Sequence, residues 1–101
     1  MSDTTTIFIA ENAGVFAENK DVARELRLKE IEPALHAGLI VRLDFVDVSS
    51  VTQSFAHALI SQTIRDFGID VLDRIEFSHC NDTVKQIITI VSDYMQRSDE
   101  G

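Results

Sequence analysis

The chain has little of what disulfide-stapled, cofactor-binding and membrane-spanning proteins are built from. Its single cysteine, Cys80, excludes a disulfide framework and a cysteine-rich metal site. Its four glycines are scattered, so the sequence holds neither a dinucleotide-binding fingerprint nor a P-loop. The apolar runs are far shorter than the roughly 20 residues that span a bilayer, and the N-terminus does not resemble a signal peptide. We expect no cofactor, no metal ion, no membrane association and a cytoplasmic location.

The chain has fewer basic than acidic residues. The chain has 17 acidic and 9 basic residues, which gives a formal net charge of −8. Phosphate backbones and anionic lipids would repel so acidic a chain. No basic cluster offsets this charge, because Arg24, Arg27 and Lys29 are interleaved with Glu25 and Glu30. The acidity is typical of a solubilising surface, and we expect no direct binding to nucleic acid.

Length and composition indicate one globular domain. The chain has 101 residues, of which 45% are hydrophobic and 26% are charged, and these fractions argue against disorder. We therefore expect a single domain over residues 1–101. Residues 1–4 and 96–101 are expected to be flexible tails.

Four stretches have the composition of β-strands. Residues 5–10 (TTIFIA) are rich in β-branched and aromatic side chains, and residues 15–16 follow a turn and predict a short return strand. Residues 39–45 (LIVRLDF) are nearly continuous in apolar character, which favours a central strand covered on both faces. Residues 74–78 (RIEFS) alternate between apolar and polar and predict a short further strand.

Three segments predict helices. Apolar residues recur at helical spacing over residues 19–37, where Pro33 predicts a kink because it lacks a backbone N–H. A second helix is expected from about Val51 to Phe67. A third begins at a cap on Asn81 or Asp82, and its apolar stripe consists of Val84, Ile87, Ile88, Val91 and Met95.

The order of these elements predicts a small α/β domain. Strands that alternate with helices favour a mostly parallel or mixed sheet, with about three helices packed on it. The hydrophobic core is expected between the sheet and the helices. It should include Leu43, Phe45, Leu59, Phe77 and Ile88.

Residues that could carry chemistry are poorly arranged for it. Asp44 and Asp47 follow the central strand, at the edge where open α/β sheets bind ligands, so they are candidates for Mg²⁺ or nucleotide binding. The alternative is that Asp47 is only a turn residue. Ser54 and His57 share one predicted helix without a positioned acid or an oxyanion elbow, which argues against a hydrolase. We expect no enzymatic activity.

The second predicted helix carries a narrow polar stripe. At 100° per residue, Ser54, His57, Ser61 and Arg65 fall on one line, and apolar side chains cover much of the rest of the helix. Ser54 lies in the first turn, where the positive end of the helix dipole favours a phosphate group. The stripe is either a solvated face or a docking surface.

Three segments resemble a known family, the STAS-like domains of unknown function. Residues 43–56 (LDFVDVSSVTQSFA) are similar to the core that follows the central strand in that family. Residues 16–24 (FAENKDVAR) resemble its entry into the first helix, and residues 77–88 (FSHCNDTVKQII) resemble its ending. The resemblance covers nearly the whole chain and implies the same STAS-like fold.

A more distant resemblance is to bacterial anti-sigma-factor antagonists, in which a kinase-like anti-sigma factor phosphorylates a serine after the same strand. Ser54 matches that serine, while Thr52 stands where the family has Asp and Phe55 where it has Gly. The resemblance implies a protein–protein interaction module, with Ser54 as candidate phosphorylation site. It also implies a histidine-kinase-like ATPase or a helix-turn-helix regulator as partner. The expected partner-binding residues are Asp47, Ser49, Thr52, Gln53, Ser54, His57, Ser61 and Arg65.

Two other functions remain open from the sequence. One is a small sensor that binds a nucleotide or another ligand at Asp44 and Asp47. The other is an accessory subunit of a phage–host or defence system, since small acidic domains can act as decoys.

Overall fold

The computed structural model describes the backbone of residues 3–100 and the side chains of residues 3–95. Strands β1 (Thr4–Phe8), β3 (Ile40–Asp44) and β5 (Ile75–Ser78) form a three-stranded sheet in the order β1-β3-β5. Strands β2 (Phe16–Ala17) and β4 (Ser50–Val51) form a separate pair. Every pairing between these strands is parallel. The predicted α/β class with a mostly parallel sheet is confirmed.

Among the described residues, helices cover one face of the three-stranded sheet. Ile7, Val41 and Leu43 point to the covered face and are at most 5% exposed. On the other face, Arg42 and Glu76 are neighbours across β3 and β5 and form an ion pair of 3.5 Å that is open to solvent. The expectation that the central strand is covered on both faces was wrong, because Arg42 places a charged side chain on the face opposite to Val41 and Leu43.

The helices differ in number from the expectation. Helix α1 (Ile9–Ala13) replaces the end of the first predicted strand, because Ile9 turns into the core and is fully buried. Helix α2 spans 20–36, helix α3 spans 53–67, and helix α4 is Asp82–Glu100. A 3₁₀ segment (Ile69–Arg74) precedes β5. Helix α3 lies between α2 and α4 in the helical layer.

Helix α2 passes through Pro33 without a break. A π turn (Arg27–Ile31) comes directly before the segment that contains the proline. This wider turn already interrupts the regular hydrogen-bond ladder, so the missing N–H of proline costs less there. Arg74 binds the end of the helix, because its Nη2 donates to the carbonyl oxygen of Leu35 in the last turn at 2.7 Å and to that of Leu39, beyond the helix, at 3.1 Å.

The short β2–β4 pair differs from the predicted return strand. Strand β2 is shifted by one residue from the predicted 15–16, and it pairs with β4 rather than returning along β1. Strand β4 (Ser50–Val51) falls at the predicted start of the second helix. Backbone bonds from Ser49 to Val15 (2.8 Å) and from Thr52 to Ala17 (3.0 Å) extend the pairing on both sides.

The predicted core is largely confirmed. Leu43, Phe45, Leu59 and Ile88 are buried, while Phe77 is half-buried at the end of the sheet. Asn81 caps α4, since its Oδ1 accepts from the backbone N–H of Val84 at 2.8 Å. The apolar stripe of α4 faces the core through Val84, Ile88, Val91 and Met95, with Ile87 partly buried.

Residues near both chain ends belong to regular elements. Thr4, assigned to the N-terminal tail from the sequence, belongs to β1, and the backbone of residues 96–100 continues α4. Met1, Ser2 and Gly101 lie outside the described residues. Within the described part of the chain, no helix is both long enough and apolar enough to cross a membrane.

Candidate docking site at the start of helix α3

The segment between β3 and α3 is held at several points. It begins with a tight turn in which the N–H of Val48 donates to the carbonyl oxygen of Phe45 at 3.0 Å. Asp47 lies in this turn with φ +66°, a left-handed conformation that Asp tolerates better than most residues. The Nδ2 of Asn81 donates to the carbonyl oxygen of Ser49 at 2.8 Å, which fastens the segment to the start of α4. Asp47 and Ser49 are both exposed.

Ser54 is held at the surface by Thr52, two residues before it, and by Phe55, directly after it. Thr52 is the N-cap of α3, because its Oγ1 accepts from the N–H of Phe55 at 3.1 Å. Phe55 is fully buried in the core and anchors the first helical turn. Between them Gln53 and Ser54 are exposed. The two departures from the antagonist pattern, Thr52 and Phe55, therefore still leave a serine displayed at the second position of a capped helix.

A groove runs beside this first turn, between α3 and α4, with the start of α2 at its side. It encloses about 510 Å³. We call it the α3 groove, and its lining residues are Lys20, Gln53, Ser54, His57, Ala58, Ile90, Val91 and Tyr94. Ile90 and Tyr94 are 49% and 60% exposed, which is high for large apolar and aromatic side chains.

The predicted polar stripe is only partly exposed. Ser54 and His57 both line the α3 groove, but Ser61 is buried at 2% exposure. Arg65 is exposed in the last turn of α3, outside the groove. The burial of Ser61 has a local cause. Residues His57–Ser61 form a π turn, so an extrapolation at 100° per residue fails beyond His57.

Ser61 fixes the orientation and tautomer of His57. Its hydroxyl donates to the carbonyl oxygen of His57, which can only accept. Because the hydroxyl has one proton, the 2.9 Å contact between Ser61 Oγ and His57 Nδ1 requires the ring N–H as donor. In the neutral ring Nε2 is then an acceptor, and it is the ring nitrogen left for a bound partner.

The two carboxylates expected to bind a ligand differ in their exposure. Asp44 is buried at 6% exposure, and its Oδ1 accepts from the N–H of Val46 at 2.9 Å and lies 3.0 Å from His79 Nδ1. Asp47 is exposed in the adjacent turn. In the described part of the chain no three acidic, histidine or cysteine side chains are grouped to hold a metal ion. Asp44 therefore stabilises the turn that follows β3.

Five residues of the groove were not assigned to it from the sequence: Lys20, Ala58, Ile90, Val91 and Tyr94. Lys20 belongs to α2, and its approach to α3 depends on how the two helices pack, so no local pattern indicates it. Ile90 and Tyr94 lie four residues apart on α4 and outside its buried stripe. That spacing places them on one exposed face and could have indicated the groove.

A comparison with known families identifies the family of the chain. Residues 22–85 match the model of the STAS-like domain of unknown function, a match that includes β3, the following turn and all of α3. The chain belongs to this family. Searches of curated proteins and of solved structures returned no match.

Proposed function

We propose that this STAS-like domain is a non-catalytic regulatory module that binds a partner protein through the start of α3. The observation that carries the proposal is the position of Ser54. Its exposed side chain lies two residues after the N-cap Thr52, precedes the fully buried Phe55 and lines a groove with exposed Ile90 and Tyr94. A rigid polar turn beside exposed apolar side chains has the composition of a protein interface.

A binding role fits the polar groups of the groove better than catalysis does. In Ser-His hydrolases a carboxylate orients the imidazole that activates the serine. Here His57 Nδ1 is held by the hydroxyl of Ser61 instead, and no carboxylate lines the α3 groove among the described residues. Hydrogen bonding and packing are the interactions that this arrangement offers to a partner.

The partner class and the switch come from the resemblance to anti-sigma-factor antagonists. We propose a histidine-kinase-like ATPase as partner, with a helix-turn-helix regulator as the other candidate. Phosphorylation of Ser54 would add about two negative charges in the first turn of α3, where the helix dipole stabilises them. The same charges would stand in the contact surface and would thereby oppose docking.

The test compares proteins captured from a lysate of the source cell by the immobilised full chain and by two variants. Ser54→Asp places a charge at the second position of α3. Thr83→Asp places the same charge at the exposed second position of α4 and is the matched control. A protein retained by the wild type and by Thr83→Asp but lost with Ser54→Asp supports the proposal. If Ser54→Asp retains the same proteins as the control, the docking site is not at Ser54.

A further inference from the structure

The surface around the α3 groove is the basic part of an acidic molecule. Lys20 lines this groove and also a neighbouring groove between α2 and α3, which Arg24 and Arg27 line as well. Asp21 is the one acidic side chain that lines either groove within the described residues. The chain as a whole has a net charge of −8, so this local excess of cations is opposite to the average surface.

Two of these cations are available to a partner. Arg27 is engaged, because its guanidinium pairs with Glu32 and lies 3.8 Å from Asp66. Lys20 and Arg24 are exposed, and neither forms an ion pair with another residue of the described part of the chain. The first turn of α3 contains no acidic residue, so the positive end of its dipole adds to their field.

The apolar side of the groove lies next to these charges. Val91 is buried at its floor, while Ile90 and Tyr94 stand exposed along α4. Ala58 continues the apolar surface on α3. A side chain that packs between Ile90 and Tyr94 would therefore have Lys20 within the same groove.

We propose that the α3 groove binds an acidic segment of the partner protein. A large apolar side chain of that segment packs against Ile90 and Tyr94, and neighbouring Asp or Glu carboxylates pair with Lys20 and Arg24. His57 contributes Nε2, as acceptor when neutral and as donor to a carboxylate when protonated. This inference rests on the proposed function and adds the chemistry of the ligand, because charge complementarity selects partners and steers their approach.

The experiment selects peptide ligands and does not require the partner to be identified. Random peptides displayed on phage are selected against the immobilised full chain, and enriched peptides are synthesised with a fluorescent label. Their Kd is measured by fluorescence anisotropy for the wild type and for variants whose folding is checked by circular dichroism. We expect enriched peptides to be acidic, to contain a large apolar residue, and to bind more weakly at about 0.5 M salt, where exposed charges are screened within a few ångströms.

Charge and apolar variants locate the bound peptide. Lys20→Glu should weaken binding by about fivefold or more, because it removes an attraction and adds a repulsion. Lys29→Glu makes the same change on the same helix outside the α3 groove and should leave the Kd within about twofold. Ile90→Ser should weaken binding, whereas Leu28→Ser, also an exposed apolar residue but outside the α3 groove, should not.

Two results would overturn the inference: enriched peptides that are neutral or basic or absent, or equal losses for Lys20→Glu and Lys29→Glu. These outcomes are distinct from a failure of the proposed function. If a partner requires Ser54 but acidic peptides do not bind the groove, only the ligand chemistry is wrong. If acidic peptides bind the groove but no partner distinguishes Ser54→Asp from Thr83→Asp, the role of Ser54 is wrong instead.

Discussion

The carboxylate of Asp44 lies 3.0 Å from Nδ1 of His79 and joins the end of β3 to the residue that follows β5. The same oxygen accepts from the N–H of Val46, so one buried side chain holds both segments. His79 has φ +55°, a conformation that local hydrogen bonding makes acceptable. The turn that leads to Ser54 thus depends on a polar contact at the edge of the sheet.

Removal of this carboxylate should loosen the turn. Asp44→Ala is expected to lower the free energy of unfolding by about 1–3 kcal/mol, because the N–H of Val46 loses its partner in a partly buried position. Asp44→Asn should cost less, since its one amide oxygen can accept both hydrogen bonds. Urea unfolding measures both changes. The control Asp73→Ala, at an exposed position in the 3₁₀ segment, should change stability by less than about 0.5 kcal/mol.

The elements predicted correctly are those determined by local pattern. Helix α4 follows from an Asn cap and an apolar stripe at helical spacing, and β3 follows from a nearly continuous apolar run. The β2–β4 pair could not be predicted, because two-residue strands have no periodicity and are fixed by the tertiary approach of distant segments. The burial of Ser61 was not predicted for a similar reason, since the π turn over His57–Ser61 leaves no recognisable pattern in the sequence.

The orientation of α3 can be tested in the core. Leu59 is 1% exposed and packs between the sheet and the neighbouring helices. Leu59→Ala should therefore cost about 2–5 kcal/mol, from lost burial and from the cavity that remains. Leu28→Ala removes the same atoms from a position that is 46% exposed and should cost less than about 1 kcal/mol. Equal costs in urea unfolding would contradict the orientation of α3.

The thiol of Cys80 should titrate at higher pH in the folded chain than in the unfolded chain. Burial raises the pKa of the Cys80 thiol, Lys85 opposes the rise, and Asp44 adds to it. The native thiolate fraction is therefore lower at a given alkaline pH, and alkylation by iodoacetamide should be slower in buffer than in denaturing urea.

Two consequences follow from the direction of this shift. Stability contributed by the protonated thiol is fully present below the unfolded-state pKa and is lost as the pH rises through the higher folded-state pKa. Lys85→Ala removes the opposing charge and should raise the pKa of Cys80 further, which slows alkylation at a fixed pH. The alkylation rate is measured against pH for the wild type and for Lys85→Ala. A midpoint of this profile in the native wild type that is at or below the midpoint in urea would refute the expectation.

Substitutions at Ser54 separate two ways in which the docking site could work. Once a partner is purified, a phosphorylation switch predicts that Ser54→Ala binds it normally and that Ser54→Asp does not. A hydroxyl that forms an interface hydrogen bond predicts that both variants weaken binding, the alanine by about 0.5–1.5 kcal/mol. Isothermal titration calorimetry distinguishes the two patterns.

The same substitutions must leave the fold intact for that comparison to be informative. Ser54→Asp adds a negative charge in the first turn of α3, which should stabilise the helix by about 0.3–1 kcal/mol. Thr83→Asp adds the charge at the equivalent position of α4 and should leave partner binding unchanged. Arg65 is exposed outside the α3 groove, so Arg65→Glu should also bind normally. If Ser54→Ala and Ser54→Asp both bind with wild-type affinity while Arg65→Glu does not, the contact surface lies along the end of α3 rather than at its start.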